Sequence, residues 1–598
     1  MADGGTSTPT GPVGGAGRGP TGGWTPTAPT GGRSGEGPAR AHAPAGAHPT
    51  GGPDDPRPPG LRHGPRAFAA LASLLLVAAT AAVAVASAAL DDDAPAAVPA
   101  GAGVVEVGTE PGASLLGCAG GPVPLAVPEG TDEDFAVVQS PTDRRLEVVA
   151  VGAEGPLRLA GPALAGSATT TGADEVAAAE VAPTDGVAVT GGASGSGGAA
   201  TASVTGPAGE AAPSLSALST ALTADGDLRG LAASSCAAPS SDAWLVGGST
   251  AEGDSTRVVL VNPGATSAEV SLEVLTPDGL QQPPAGEGLV VPPGQRSEVL
   301  LEGLVPGAET LAVHVSSDGG AVAPSLVVTR LAGLVPRGVE VVTPAAAPAT
   351  EQVVPGVATA GSSTAVLRLA APGGEPATAQ VDVLADAAGS AAAGALSTSV
   401  AVPGGQAVDV PLGGVPAGSA GVAVSAGQPV VAAVVVQRTE GADAAGPADL
   451  AVAPATEVLA PGAGLALPAG DAGLAAQVLL TNAGDAEATA SVVGVAADGG
   501  RSPARPVVVA PRSTTTLDPA QLGEGLVGLV VEGVEAATPE GADGDADAEE
   551  GSAGPALHAA LVLSASAPAG ALAVVPPSSV PASAGSTPVL VAPPGRWP

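Results

Sequence analysis

Short runs of alternating apolar and polar residues, each closed by a turn former, recur through most of the chain. Val270, Leu272 and Val274 alternate with Ser271 and Glu273, and Val381 and Val383 flank Asp382. A period of two is that of a strand with one face buried. Such runs end at Asn262-Pro263-Gly264, Pro372-Gly373-Gly374 and Asn482-Ala483-Gly484. These residues either tolerate positive φ or have φ pre-set by proline, as turns require. Asn262 and Asn482, the two asparagines of the chain, are therefore turn residues on this pattern and not ligands.

The pattern is also duplicated. "VLVNPGATSAEV" from Val259 returns as "LLTNAGDAEATA" from Leu479, 220 residues later, and "VLRLAAPGGEPATAQVDVLAD" from Val366 stands between them with Ala370 at the asparagine's place. "VVPPGQRSEVLL" from Val290, "VAVPGGQAVDVPL" from Val400 and "VVVAPRSTTTLD" from Val507 follow in the same order. The joints repeat as well, as "APSSDAWLVG" from Ala238, "APATEQVVPG" from Ala347 and "APATEVLAPG" from Ala453. Units of about 110 residues built from short strands predict an all-β fold of tandem immunoglobulin-like β-sandwich repeats. The predicted repeats cover residues 238–346, 347–452 and 453–598.

Residues 100–236 lack these motifs and form a separate N-terminal β domain on this pattern, with "TGGASGSGGAATASVTG" from Thr190 as a flexible loop. The two cysteines, Cys118 and Cys236, bracket it. Outside a reducing compartment they are expected to pair as one disulfide, the alternative being two buried thiols.

One stretch departs from the strand pattern. Residues 67–90 run for 24 positions without a charge, long enough at about 1.5 Å per residue to span a hydrocarbon core of about 30 Å. Arg57, Arg62 and Arg66 precede it and Asp91, Asp92 and Asp93 follow. That asymmetry predicts a single transmembrane helix with a cytoplasmic N-terminus and an extracytoplasmic bulk at the plasma membrane. A cleaved signal peptide is the alternative, since Ala84-Val85-Ala86 and Ala86-Ser87-Ala88 both fit a cleavage site. Residues 1–66, rich in Gly, Pro and Thr, have almost nothing to bury and are expected to be a disordered tail.

Composition narrows the function. The net charge is −38, and the arginines form no basic stripe, so no nucleic-acid partner is expected. Five aromatic residues in 598 leave Val, Leu and Ala to build the cores, which favours several modest domains. Of the histidines, only His314 and His558 follow the apolar stretch. Each lies in a predicted strand and is expected to be exposed. No nucleophile-elbow, His-Glu-x-x-His or Cys-x-x-Cys motif occurs. The acidic insertion from Glu540 places Asp543, Asp545 and Asp547 in alternation, but Ala548 and Gly554 stand where a calcium loop needs Gly and Glu. It is read as a solvated loop, with weak calcium binding as the alternative. Trp244 is read as a core or joint plug, with a carbohydrate-stacking platform as the alternative.

"CAAPSSDAWLVGGSTAEGDSTRVVLVNPG" from Cys236, with the later "VVPPGQRSEVLL" and "APATEQVVPGV", resembles an actinobacterial family of membrane-anchored extracytoplasmic proteins whose shared domain is of unknown function. The resemblance implies an envelope location and assigns no reaction, cofactor or site residue. The sequence thus points to a non-enzymatic, membrane-anchored cell-envelope protein with a structural or binding role, no cofactor, and an envelope protein or glycan as partner. An envelope glycan- or peptide-acting enzyme using carboxylates is the alternative.

Overall fold

The computed structural model describes residues 103–107, 112–123, 141–164, 178–193, 199–207, 212–360, 363–386, 397–413, 415, 417–470, 472–536, 556–578 and 587–591. The predicted tail and transmembrane segment and the acidic insertion lie outside the described residues. Among those described there is no α-helix, and hence none long and apolar enough to cross a membrane.

The alternation seen in sequence becomes burial in strands. Ala268–Thr276, Ala377–Ala385 and Ala488–Ala496 are equivalent nine-residue strands whose first four residues alternate between buried and less buried positions. Asn262 closes the strand before the first of these and is fully buried. Its Nδ2 donates to the carbonyls of Thr266 (2.8 Å) and Val291 (2.9 Å), and its Oδ1 accepts from Gly264 N (2.9 Å). Asn482 repeats all three bonds with Ala486, Val509 and Gly484. One side chain thereby satisfies a turn's buried backbone groups, which water cannot reach. In the middle copy the matching position is Ala371, one residue beyond Ala370. Ala371 exchanges backbone bonds with Gln406 and Gly405 as Asn262 does with Gln295 and Gly294. The slip arises because that copy is one residue longer before its Gly-Gly turn, so identity of residues misplaces the register while hydrogen bonding fixes it.

Strand order shows four copies. Between Asp242 and Val342 two sheets form. The first runs Asp242–Val246, Ala312–Asp318, Ala268–Thr276, Leu289–Val291, and the second runs Val335–Val342, Ala323–Ala332, Asp254–Val261, Gln295–Leu300. Numbering these eight strands in chain order gives 1-6-3-4 facing 8-7-2-5. The same two orders recur in the strands between Ala349 and Pro454, where the single strand Gly418–Thr439 serves as both sixth and seventh, and between Gly464 and Val575. They recur once more between Ala113 and Ser235. The N-terminal region expected to differ is therefore a first module with the same topology, although it shares none of the repeat motifs. The supposed flexible loop from Thr190 falls largely on two of its strands, Val187–Ala193 and Ala200–Thr205.

In each module the two sheets face one another across a core of Leu, Val and Ala. Every one of the twelve largest fully buried side chains is leucine. With roughly 1.5–3 kcal/mol from each such side chain and few rings, no single module buries a large core. The cores accordingly run on into neighbours. Val149, Val187, Leu218 and Leu231 of the first module share a cluster with Leu465, Leu480 and Leu561 of the fourth. Ala370, Val431 and Leu450 of the third join the core of the second.

The closing strands of the modules, Gly230–Ser235, Val335–Val342, Ala448–Pro454 and Leu572–Val575, pack in a closed ring: first on second, second on third, third on fourth, fourth on first. Gly230 and Gly338 permit this approach. Both have φ in the left-handed half of the map, at 141° and 123°, and a Cβ on either would overlap the strand that holds Asp449. Outside the ring, Gly103–Val107 pairs antiparallel with Thr587–Val591, so the first and last described strands meet.

Candidate functional site

Two carboxylates occupy the ring. Glu340 and Asp449 lie 109 residues apart, about one repeat, each flanked by apolar residues in a closing strand, and both are 0 % exposed. Asp449 Oδ2 accepts from Leu231 N (2.8 Å) and Leu572 N (3.1 Å), and its Oδ1 from Leu450 N (2.9 Å) and Val339 N (3.3 Å). One side chain thus touches all four closing strands. Glu340 accepts from Ala233 N (3.2 Å), Val341 N (2.9 Å) and Val452 N (3.3 Å). Burial pushes the Asp449 carboxyl up to about 7, against the lowering effect of its N–H donors. Burial likewise raises Glu340 well above the ordinary carboxylate range. These groups are shut off from solvent and their oxygens are engaged by backbone, so they hold modules together and meet no ligand.

Just beyond the ring, the segments that follow the four closing strands surround one open depression of about 520 Å³. It is lined from residues 235–244, 343–347, 455–463 and 576–578, so every module contributes. Trp244 lies in this wall, is 6 % exposed and stacks on His314 with centroids 4.4 Å apart and planes 12° apart. His314 is held between two carboxylates, Glu273 (Nδ1 to Oε2, 3.0 Å) and Asp242 (Nε2 to Oδ2, 3.1 Å). The hydrogen bonds from His314 and Gln282 keep Glu273 below its ordinary value. Asp242 and Glu457 also line the depression, and Glu457 Oε1 accepts from Ala347 N at 3.3 Å, tying the second joint to the third.

The sequence-predicted residues fall as follows. Cys118 and Cys236 form a disulfide with Cα atoms 4.4 Å apart, and Cys236 reaches the depression. Gly117 and Ala237 beside it exchange backbone bonds of 2.8 and 3.0 Å, so the module's first strand is fastened to its end. Trp244 is buried, though one ring face is taken by a histidine and not by a core. His314, expected to be exposed, stacks on that indole, and its side chain is only 17 % exposed. His558 was also expected to be exposed and is buried instead. Its Nδ1 donates to the Thr456 carbonyl at 2.9 Å across the third joint, and burial lowers its pKa to about 4. The strand-period pattern placed it on an outer face, but that face is covered by the neighbouring module.

Sequence reading missed Glu340, Asp449 and Ser578. For the first two a signal existed, namely an acid inside an apolar run near the end of successive repeats, although by register Asp449 matches Gly338 and Glu340 matches Ala451. Ser578 carried none, because its burial depends on the ring. Among the described residues no three of His, Cys, Asp and Glu converge as metal ligands.

Comparison with known proteins yields little chemistry. A chain solved as "Crystal Structure of Thermotoga maritima 1070" is 14 % identical, covers 19 % of this chain and 97 % of its own length, and superposes with a TM-score of 0.16. No curated protein matches the chain. Residues 189–520, more than half of the sequence and reaching from the first module into the fourth, match one family pattern, and the chain belongs to the group described as "Family of unknown function (DUF5719)".

Proposed function

We propose that this is a non-enzymatic, membrane-anchored cell-envelope protein whose four modules, each an immunoglobulin-like sandwich, form a rigid platform for binding a partner. The observation that carries this reading is that joints from all four modules line a single open depression of about 520 Å³. That size falls within the about 300–1,000 Å³ usual for ligand sites. The surrounding polar chemistry is committed to structure: His558 to the Thr456 carbonyl, His314 to Trp244 and two carboxylates, and Asp449 and Glu340 to backbone. A disulfide suits an oxidising compartment, and the uncharged stretch at 67–90, with arginines before it and aspartates after, suits an anchor with the modules outside.

The specific observation favouring a carboxylate enzyme is that Asp242 and Glu457 line the same depression. Incubation of the purified protein with cell-wall polysaccharide and cross-linked wall peptide decides between the two. Co-sedimentation without released fragments is expected. Soluble products that disappear in Asp242→Asn or Glu457→Gln would replace binding with catalysis.

A further inference from the structure

We infer that the central depression is a docking site for an extended peptide segment bearing a basic side chain; this rests on the binding reading above and names its ligand class. Three independent observations converge on it.

The first is an unmet polar group. Ser578 forms part of the wall and is 6 % exposed, and its Oγ is buried with no hydrogen-bond partner among the described residues. A buried hydroxyl left unpaired is destabilising, so such a group is tolerated where something else completes it. The second is charge. Asp242 and Glu457 line the depression and, among the described residues, no arginine does, within a protein of net charge −38. An acidic ligand would be repelled and a cationic one steered inward. The third is the character of the walls. Pro239, Pro344, Pro576 and Pro577 stand among alanines, with Val458 and Leu459, presenting apolar, conformationally fixed surface. That surface suits the side chains of an extended chain whose N–H and C=O groups can reach Ser578 and the joint backbones. A glycan fits less well. Its usual platform is an open aromatic face, whereas Trp244 is nearly buried and stacked on His314.

The test uses the full chain in detergent and dye-labelled hexapeptides of sequence Ala-Pro-Ala-X-Pro-Ala, with X as Arg, Gln or Glu, followed by fluorescence anisotropy at low and high salt. The Arg peptide is expected to bind roughly ten-fold tighter than the Glu peptide, with the advantage shrinking at high salt. The double variant Asp242→Asn, Glu457→Gln should bring Arg and Gln peptides to equal affinity. Ala346→Trp, which fills the depression, should abolish binding of all three, and near-wild-type melting of both variants establishes that they fold. Equal affinity for Arg and Glu peptides in the wild type, or no binding up to the solubility limit of the Arg peptide, overturns the inference. So does displacement by spermidine as effective as by unlabelled Arg peptide, which would mark a site for free amines. Mass spectrometry of the recovered peptides separates the two layers: cleaved peptide defeats the binding reading itself, whereas intact peptide bound without charge preference defeats only the ligand class.

Discussion

The turns at Asn262 and Asn482 and the ring around Asp449 solve one problem on different scales. In each, a buried side-chain amide or carboxylate satisfies backbone groups that water cannot reach. Asn262 bonds to Gly264 and Thr266, two and four residues on, and to Val291 in the module's other sheet. Asp449 bonds to Leu231, Val339 and Leu572, up to 218 residues away. The asparagine therefore stabilises one module, while the aspartate stabilises the assembly of four. Modules poor in aromatic residues gain their remaining stability by packing on one another.

Reducing Cys118–Cys236 should have the largest effect and bears most directly on that difference. Closure of a loop whose ends are 118 residues apart stabilises by roughly 4–5 kcal/mol in the chain-entropy model. Because the first module shares its core with the fourth, melting with reductant should lower the transition of the whole ring. A separate early transition confined to the first module would show that the modules are autonomous. Next in size, Asp449→Ala should cost about 4 kcal/mol by leaving backbone donors of four strands unpaired, and should lower hydrogen-exchange protection in all four closing strands. Protection lost only near residue 449 would contradict a shared ring. Asn482→Ala should cost about 2–3 kcal/mol, with exchange increasing in the fourth module alone, and Asn262→Ala should do the same in the second.

The smallest effect is the dependence on pH. Asp449 has a raised folded-state value of about 7, so the native state binds a proton that the unfolded chain has lost. Its contribution is fully present below about 4 and declines toward pH 7. His558, depressed to about 4, has the opposite sign: its contribution is present above about 6.5 and lost as pH falls to 4. Glu340 is raised as well and has the same sign as Asp449, so two carboxyls oppose one histidine, each with a slope of at most about 1.4 kcal/mol per unit, and stability should decline with rising pH from about 4.5 to 6. His558→Gln should steepen that decline, measured by denaturant midpoints across that range. A flat curve in the variant would mean that Asp449 and Glu340 remain ionised throughout.

How much of this was legible in advance follows the same division of scale. Strand period, turn chemistry, the duplication of residues 238–598 and the pairing of two cysteines are written in residues close in sequence or alone of their kind. The first module escaped because its sequence keeps only the alternation of strands and not the motifs. Topology survives such drift, since many Val, Leu and Ala combinations fill the same space. Ala371 and not Ala370 matches Asn262 for a related reason: register is set by backbone bonding, which an inserted residue shifts without leaving a mark on composition.

His558 and Ser578 show what no local pattern holds. Alternation says which face of a strand is apolar, but whether the other face meets water depends on what packs against it, and here the neighbouring module covers it. The sequence by itself determined the strands, the turns, the bulk charge and the repeated unit, because each follows from short-range sterics, solvation and composition. Only the tertiary structure decided that there are four modules, that they close into a ring on two buried carboxylates, and that their joints enclose one depression. Those outcomes arise from contacts among residues more than a hundred positions apart, whose free energies exist only once the chain has folded.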